Sequence, residues 1–352
     1  VLRYLLKRLG YGALVIFGVV IVIFLLFHAL PGDPVSMVAG QRSDIATREA
    51  ITKELGLDRP LREQFVHYLA DLSPIAVHEK SEEAARKYNY RVLFSTGEGR
   101  ALVLKRPYLR RSFQTNQRVD EILLQNLPPT LVLAFSAMLF ATLIGIGLGI
   151  LAAMYRGTAL DSALVAGATF GISIPSFVSA TLIAYIFGYL LHDLTGLNTV
   201  GQLYETDVFE GRQIHLENLV LPTIALGMRP LSIIVQLTRS SMLEVLSQDY
   251  IRTAHAKGLR PRRVLLRHAL KNALNPVVTS VSGWLAQLIA GAFFIEIVFD
   301  WKGFGYVTIN AVQTLNFPVV MGATLFIAIV FVIINLLVDI LYALLDPRVR
   351  LR

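Results

Sequence analysis

Residues Glu244–Leu274 read EVLSQDYIRTAHAKGLRPRRVLLRHALKNAL. Seven basic side chains, Arg252, Lys257, Arg260, Arg262, Arg263, Arg267 and Lys271, are opposed by only Glu244 and Asp249. Gly258 divides the stretch into two short helices. It can take the left-handed backbone that closes the first, and Pro261 opens the second, where its missing N–H does no harm. Asp249 suits the positive end of the first helix dipole and Lys257 the negative end. Tyr250 and Ala254 stand one turn apart. Thr253, Ala254 and Ala256 are small enough for another backbone to come close. In the second helix Arg263, Arg267 and Lys271 recur at i, i+4, i+8, with Leu266, Leu270 and Ala273 as an apolar stripe beside them. Long apolar runs flank the whole stretch. A polar helix pair between apolar runs points to an all-α membrane protein with a docking face on one loop. The plain alternative is a solvated basic loop that only sets topology. The glycine break, the caps and the small side chains favour docking.

Composition supports the membrane assignment. The chain has 352 residues, 54% hydrophobic and 16% charged, less charge than soluble domains carry. It has no cysteine, so disulfides, thiolate metal sites and thiol nucleophiles are excluded. The net charge of +8 would suit nucleic acid if it were gathered on a soluble surface. In a membrane protein it reflects basic cytoplasmic loops.

Outward from the quoted stretch, Leu219–Leu243 precedes it and Pro276–Phe299 follows it. Thr130–Met154, Val165–Leu191 and Val319–Leu345 are further apolar runs, and Gly10–Leu30 comes first. Each reaches the roughly 20 residues needed to cross about 30 Å of hydrocarbon. The first run is too long for a secretory signal and lacks a small-x-small site after it, so it reads as a retained span. Six spans result. Pro31-Gly32-Asp33-Pro34 stops the first helix, and a long loop extends to about Asn126. In that loop Thr47–Leu55 reads as a helix closed by Gly56. Pro60 starts another, with Leu61, Phe65, Leu69 and Leu72 on one face. Tyr90–Phe94 and Arg100–Leu104 flank Thr96-Gly97-Glu98-Gly99 as a β-hairpin. Gly145, Gly147 and Gly149 imitate a phosphate loop, but no strand precedes them, so close helix packing explains them better. The domain organisation is therefore 1–30 as the first span, 31–127 as an extracytoplasmic loop, 128–345 as a five-helix core containing loop 244–274, and 346–352 as a tail.

Charge fixes the orientation. With Arg3, Lys7 and Arg8 inside, the Tyr155–Ser162 turn, loop 244–274 and the tail also fall inside, and these carry the basic excess. The short outer loop His192–Asn218 has Arg212 against Asp193, Glu205, Asp207, Glu210 and Glu217. The positive-inside rule holds on every short loop, and long loops are exempt. Nucleic acid is thus not an expected partner; the lipid bilayer is.

Ionisable groups within spans need a reason. Arg239 and Asp339 are expected near the cytoplasmic ends of their spans, facing the bundle as a pair or snorkelling separately. Arg229 precedes Pro230, deeper in. It either lines an outer vestibule, where it would attract a peptide carboxylate, or snorkels outward. Ser173, Pro175, Ser176 and Ser179 lie in the third span, which Pro175 kinks. The serines line a path or bond between helices. Asn335 shares a helix face with Asp339, and Gln287 is a further candidate for the path.

The quoted loop resembles the EAA loop of bacterial ABC importer permeases. Arg252-Thr253-Ala254-His255-Ala256-Lys257-Gly258 and His268-Ala269-Leu270 match its dipeptide, oligopeptide and nickel branch. Leu30-Pro31-Gly32-Asp33-Pro34, Leu127-Pro128-Pro129-Thr130, Thr238-Arg239-Ser240, Phe294-Ile295-Glu296, Gly303-Phe304-Gly305 and Asp346-Pro347-Arg348 also fall where that family has similar runs, so the resemblance covers most of the chain. Arg252 and Lys271 depart from the general EAA pattern, which has Glu and Pro there, in a way common in the peptide branch. Residues 74–105 look like an insertion.

The resemblance implies a type I importer permease fold, the fold of the methionine importer permease, with six spans, in the bacterial inner membrane and with both termini cytoplasmic. It implies a paralogous second permease subunit, two ABC ATPase subunits and an extracytoplasmic peptide-binding protein. Peptides are the implied cargo, with nickel or another small solute the alternative within the family. Coupling to the ATPase falls by this resemblance on Asp249, Tyr250, Thr253, Ala254, Ala256, Lys257, Gly258, Arg263 and Arg267. No G-x-x-x-x-G-K-[ST] motif is present, so the chain is expected to hold no cofactor, ATP and Mg being bound by partner subunits. Enzyme readings fare poorly: Ser280-Val281-Ser282-Gly283 has no histidine in the later spans to act with, and H-E-x-x-H is absent. A secondary transporter driven by an ion gradient would show inverted repeats and paired acids near the midplane, and neither is evident.

Overall fold

In a computed structural model, the chain is described at residues 2–29, 35, 49, 52, 56–79, 81–95, 99–207 and 211–345. Pro31–Pro34, most of the expected Thr47–Leu55 helix and the 346–352 tail lie outside these residues. Glu49 and Thr52 are helical, and Gly56 has the left-handed φ of +67° expected of a cap.

The helices are α1 (Leu2–Ala29), α2 (Leu61–Leu72), α3 (Glu82–Tyr88), α4 (Val119–Met154), α5 (Ala159–Ser173), α6 (Ser176–Leu190), α7 (Glu217–Leu246), α8 (Asp249–Ala256), α9 (Pro261–Ala273), α10 (Asn275–Gly291), α11 (Phe293–Val298), α12 (Phe304–Gln313) and α13 (Phe317–Leu345). The strands are β1 (Ile75–Glu79), β2 (Arg91–Ser95), β3 (Arg100–Leu104), β4 (Tyr204–Asp207) and β5 (Gly211–Ile214). Among the described residues α1, α4, α7 and α13 each hold an apolar stretch long enough to cross a membrane. The count reaches six only if α5 with α6, and α9 with α10, each form one span.

The third expected span is the main departure. Val165–Leu191 is not one gently kinked helix: α5 and α6 meet at 110°. Ile174 is extended (ψ 133°) and Pro175 follows at ψ 136°, as sterics before and at a proline favour. Two residues out of helical conformation turn the chain far more than one missing hydrogen bond would. The second span differs too. α4 begins at Val119, ahead of the expected Thr130, and runs through Pro128 and Pro129.

The chain divides into two compact units. One comprises Gly10–Gln125 and Thr308–Ala328. In it β2 and β3 form the expected hairpin, and β1 adds a third antiparallel strand, in the order β1-β3-β2. Ala101 and Val103 of the central strand are fully enclosed. On α2 the buried residue is Tyr68, which stacks on Phe24 at 5.9 Å beside Phe65 at 5.0 Å. Leu61, expected on that face, is exposed.

The other unit holds Val1–Leu9, Asn126–Val307 and Ile329–Arg352. Its core gathers Leu133, Ala137, Leu221, Ala225, Ile234, Ile295, Phe299 and Trp301. Small residues set how closely α4 and α7 approach. A Cβ on Gly145 would lie 2.8 Å from Ile234, and one on Gly149 would lie 2.5 Å from Thr238. The i, i+4 glycine spacing is the close-packing pattern of membrane helices. Gly147, between them, has open space. β4 and β5 form a hairpin in the outer loop before α7.

Candidate functional site

Glu244–Leu274 folds as its glycine and prolines dictate. α8 ends at Lys257, Gly258 takes φ +75°, and Pro261 stands in the first turn of α9. Asp249 sits in the first turn of α8. Ile251 and Ala254, one turn apart on α8, are buried with Val264, Ala269 and Ala273 of α9, Met242 of α7 and Ala153 of α4. This apolar cluster seats the helix pair on the ends of α4 and α7.

The cluster corrects one expected role. Ala254 was placed on the face open to a partner, but it is 6% exposed and serves the loop's own core. A surface helix buries positions one turn apart, and Ile251 draws Ala254 in with it. Thr253, Ala256, Lys257 and Gly258 remain exposed, as do Tyr250, Arg263, Arg267 and Lys271. The Tyr250 hydroxyl accepts a hydrogen bond from Asn272 Nδ2 at 2.9 Å, joining α8 to α9. Arg252 lies 3.4 Å from Asp249 in an open, weak pair. In α9 the residues Val264–Ala269 form a π-helix. Its wider turn shifts the register, so Val264, Ala269 and Ala273 are buried while Leu266, expected in the apolar stripe, is 48% exposed.

The intramembrane charges are arranged differently from expectation. Arg239 faces the bundle, but its partner among the described residues is Asp161. Nε and Nη2 donate to the two carboxylate oxygens at 2.6 and 2.7 Å. Asp161 also accepts from the Gly157 amide at 3.0 Å, and Thr158 caps the start of α5. The side chain of Asp339, the partner proposed from sequence, is outside the described residues. Asp161 lies in the expected Tyr155–Ser162 turn, where an acidic residue between two spans gives no sign in sequence of an intramembrane partner.

Glu296 is fully buried. Its Oε1 lies 2.5 Å from Thr130 Oγ1, which accepts from the Phe304 amide at 2.8 Å. The hydroxyl therefore directs its own proton to the carboxylate. Oε2 accepts from the Tyr306 amide at 2.9 Å, and the Gly305 backbone is a further partner. Trp301 Nε1 donates to the Pro129 carbonyl at 3.1 Å. Glycine is required beside this cage: a Cβ on Gly303 would lie 2.5 Å from Glu296 Oε1, and one on Gly305 2.3 Å from the Phe293 ring. Three separate sequence runs, Leu127–Thr130, Phe294–Glu296 and Gly303–Gly305, thus meet at one carboxylate.

Ser173 and Ser179, expected along a path or between helices, bond within their own helices. Ser173 is exposed and its hydroxyl donates to Thr169 O of its own helix at 3.0 Å. Ser179, not Ser176, is buried, and it donates to Ser176 O at 2.9 Å. Both bonds stay within one stretch of chain and do not cross between helices. Gln287 and Arg229 are exposed.

The family described as binding-protein-dependent transport system inner membrane component matches residues 145–351, and that of its N-terminal part matches residues 1–134. The dipeptide transport system permease protein DppB of Escherichia coli (strain K12) is 36% identical over 371 aligned positions, covering 99% of each chain. The glutathione transport system permease protein GsiC of Salmonella typhi is 34% identical over 349 positions, again with 99% of each covered. A chain of the inward-facing MetNI methionine ABC transporter resembles this one in fold, with a TM-score of 0.50, 18% identity, and coverage of 64% of this chain and 97% of that one.

Proposed function

Because this chain belongs to the binding-protein-dependent transport system inner membrane component family, we propose that it is one of two pore subunits of an ATP-driven importer for short peptides. A second, paralogous permease chain completes the pore. Two ATPase subunits bind ATP and Mg and dock on the Glu244–Leu274 loop at the cytoplasmic face. A binding protein outside delivers the peptide. The dipeptide and glutathione systems among the relatives support that cargo.

One observation carries the coupling role. The loop shows an exposed polar and basic surface on one side and is fused to the ends of α4 and α7 on the other. Such a part takes up movement from a soluble partner and passes it to the spans. The exposed residues Asp249, Tyr250, Thr253, Ala256, Lys257, Gly258, Arg263 and Arg267 form the contact surface. Ala254 acts from beneath, by holding α8 in place.

Two substitutions test this. Ala256→Leu puts bulk on the exposed side of α8, and Ala254→Leu puts it into the cluster. Ala256→Leu is expected to abolish uptake and ATPase association while melting like the parent chain. Ala254→Leu is expected to lower the melting temperature as well. Normal uptake by the Ala256→Leu complex would end the docking assignment.

A further inference from the structure

Three polar residues of α7 share a face that is exposed at Arg229 and at Ser240. α7 is more enclosed than α1, α4 or α13. One side of it meets α4: Cβ atoms built on Gly145 and Gly149 lie against Ile234 and Thr238. The adjoining side meets α5, through Ser232 beside Gly171 and through the Arg239–Asp161 pair. α6 and α10 pack on α7 as well. Arg229, Gln236 and Ser240 border the α5 side, Gln236 standing one turn from both Ser232 and Arg239. They follow one another at i, i+7 and i+11, about two and three helical turns on, and therefore on one face. Arg229 and Ser240 are exposed and Gln236 is half-buried.

Depth makes this face unsuited to lipid. At 1.5 Å per residue, Arg229 stands about 18 Å from Glu217 and about 25 Å from Leu246 along α7. That places it deep within about 30 Å of hydrocarbon. A guanidinium so far from either interface faces water, an anion or protein, because bare lipid would strip its hydration.

We infer that the Arg229–Gln236–Ser240 face is one wall of the water-filled translocation path, and that Arg229 binds the carboxylate of the passing ligand. This rests on the importer reading above and deepens it. A guanidinium suits a carboxylate because its planar fork can donate two parallel hydrogen bonds. A peptide always carries such a group at its C-terminus. Gln236 adds a neutral amide further along, and the Ser240 hydroxyl, whose proton goes to carbonyls of its own helix, adds an acceptor; neither holds a peptide as a charge does.

The chain contains no cysteine, so single cysteines report cleanly. In the assembled transporter in vesicles, Q236C and S240C are expected to react with a charged thiol reagent about tenfold faster than L139C, which lies on an exposed apolar position of α4. Equal, slow reaction at all three positions would overturn the assignment of the path. In the same vesicles, radiolabelled dialanine uptake is expected to fall about tenfold in R229Q and to recover largely in R229K, as loss of one charge-assisted contact implies. Undiminished uptake by R229Q would overturn the carboxylate role. If the parent complex neither hydrolyses ATP nor takes up dialanine, the importer reading is what fails, and the labelling still decides whether this face meets water.

Discussion

Replacing Glu296 tests whether the buried carboxylate holds together the three segments around it. In Glu296→Ala the amides of Tyr306 and Gly305 and the hydroxyl of Thr130 lose their acceptor. Each buried donor left unpaired costs about 1–3 kcal/mol. The hydroxyl can rotate toward another acceptor, whereas the amides cannot, so the total is about 3–5 kcal/mol. Glu296→Gln is gentler. Its amide oxygen can occupy the Oε2 position and serve Tyr306, and its NH2 can donate to Thr130 Oγ1. The Thr130 proton then has no carboxylate to meet, a loss of about 1–2 kcal/mol. Melting midpoints fall roughly 2–4 °C per kcal/mol in chains of 150–250 residues, and less in longer ones. The alanine variant should therefore melt roughly 5–10 °C lower and the glutamine variant roughly 2–4 °C lower, when purified chain in detergent is compared at one scan rate. Thr130→Val should resemble Glu296→Gln, and the double variant should cost less than the two single losses added. An alanine variant melting within about 1 °C of the parent, as surface substitutions do, would refute the reasoning. So would a glutamine variant that melts as low as the alanine one.

Three further outcomes follow from the geometry. Gly149→Ala forces a methyl toward Thr238 and the Val235 carbonyl and should cost about 1–3 kcal/mol; Gly147→Ala, with open space, should be neutral or gain up to about 1 kcal/mol, as the two melting curves will show. Asp161→Arg and Arg239→Asp should each reduce folded yield and uptake, and the double exchange should restore part of both if the pair is the reason these charges are tolerated. In the β-sheet region, burial holds the Lys105 ammonium down to about 8, below its ordinary 10.5, and burial together with Asp71 raises the Tyr88 phenol. Between pH 8 and 10 the unfolded chain then binds more protons than the folded one at Lys105. Stability of this region should rise with pH across that window, and Lys105→Met should flatten the rise, read as protease resistance of the 61–105 segment against pH.

Much of the loop site was legible because backbone-specialised residues announce themselves. Gly258 at positive φ and Pro261 at a helix start fixed the two-helix form before any contact was known. The i, i+4, i+8 spacing of Arg263, Arg267 and Lys271 placed them together on the outside, where they are. Ala254 misled because alanine is as suitable for a tight core as for an open face, and only the position of Ile251 relative to the span ends decides between them. The π-turn in α9 leaves no composition signal, so Leu266 was assigned one face and occupies another.

From the sequence alone came the apolar runs, the basic loop between them and the glycine spacing at Gly145 and Gly149, because length, hydropathy and periodicity are local properties that survive without knowledge of neighbours. The tertiary structure alone decided partnership. Arg239 meets Asp161, 78 positions away, and Glu296 meets Thr130, 166 positions away. A charge within an apolar run says that a partner is needed. Which partner is set by where two helices cross, and that depends on packing summed over whole surfaces, such as the approach of α7 that Gly145 and Gly149 permit and the 110° turn at Pro175.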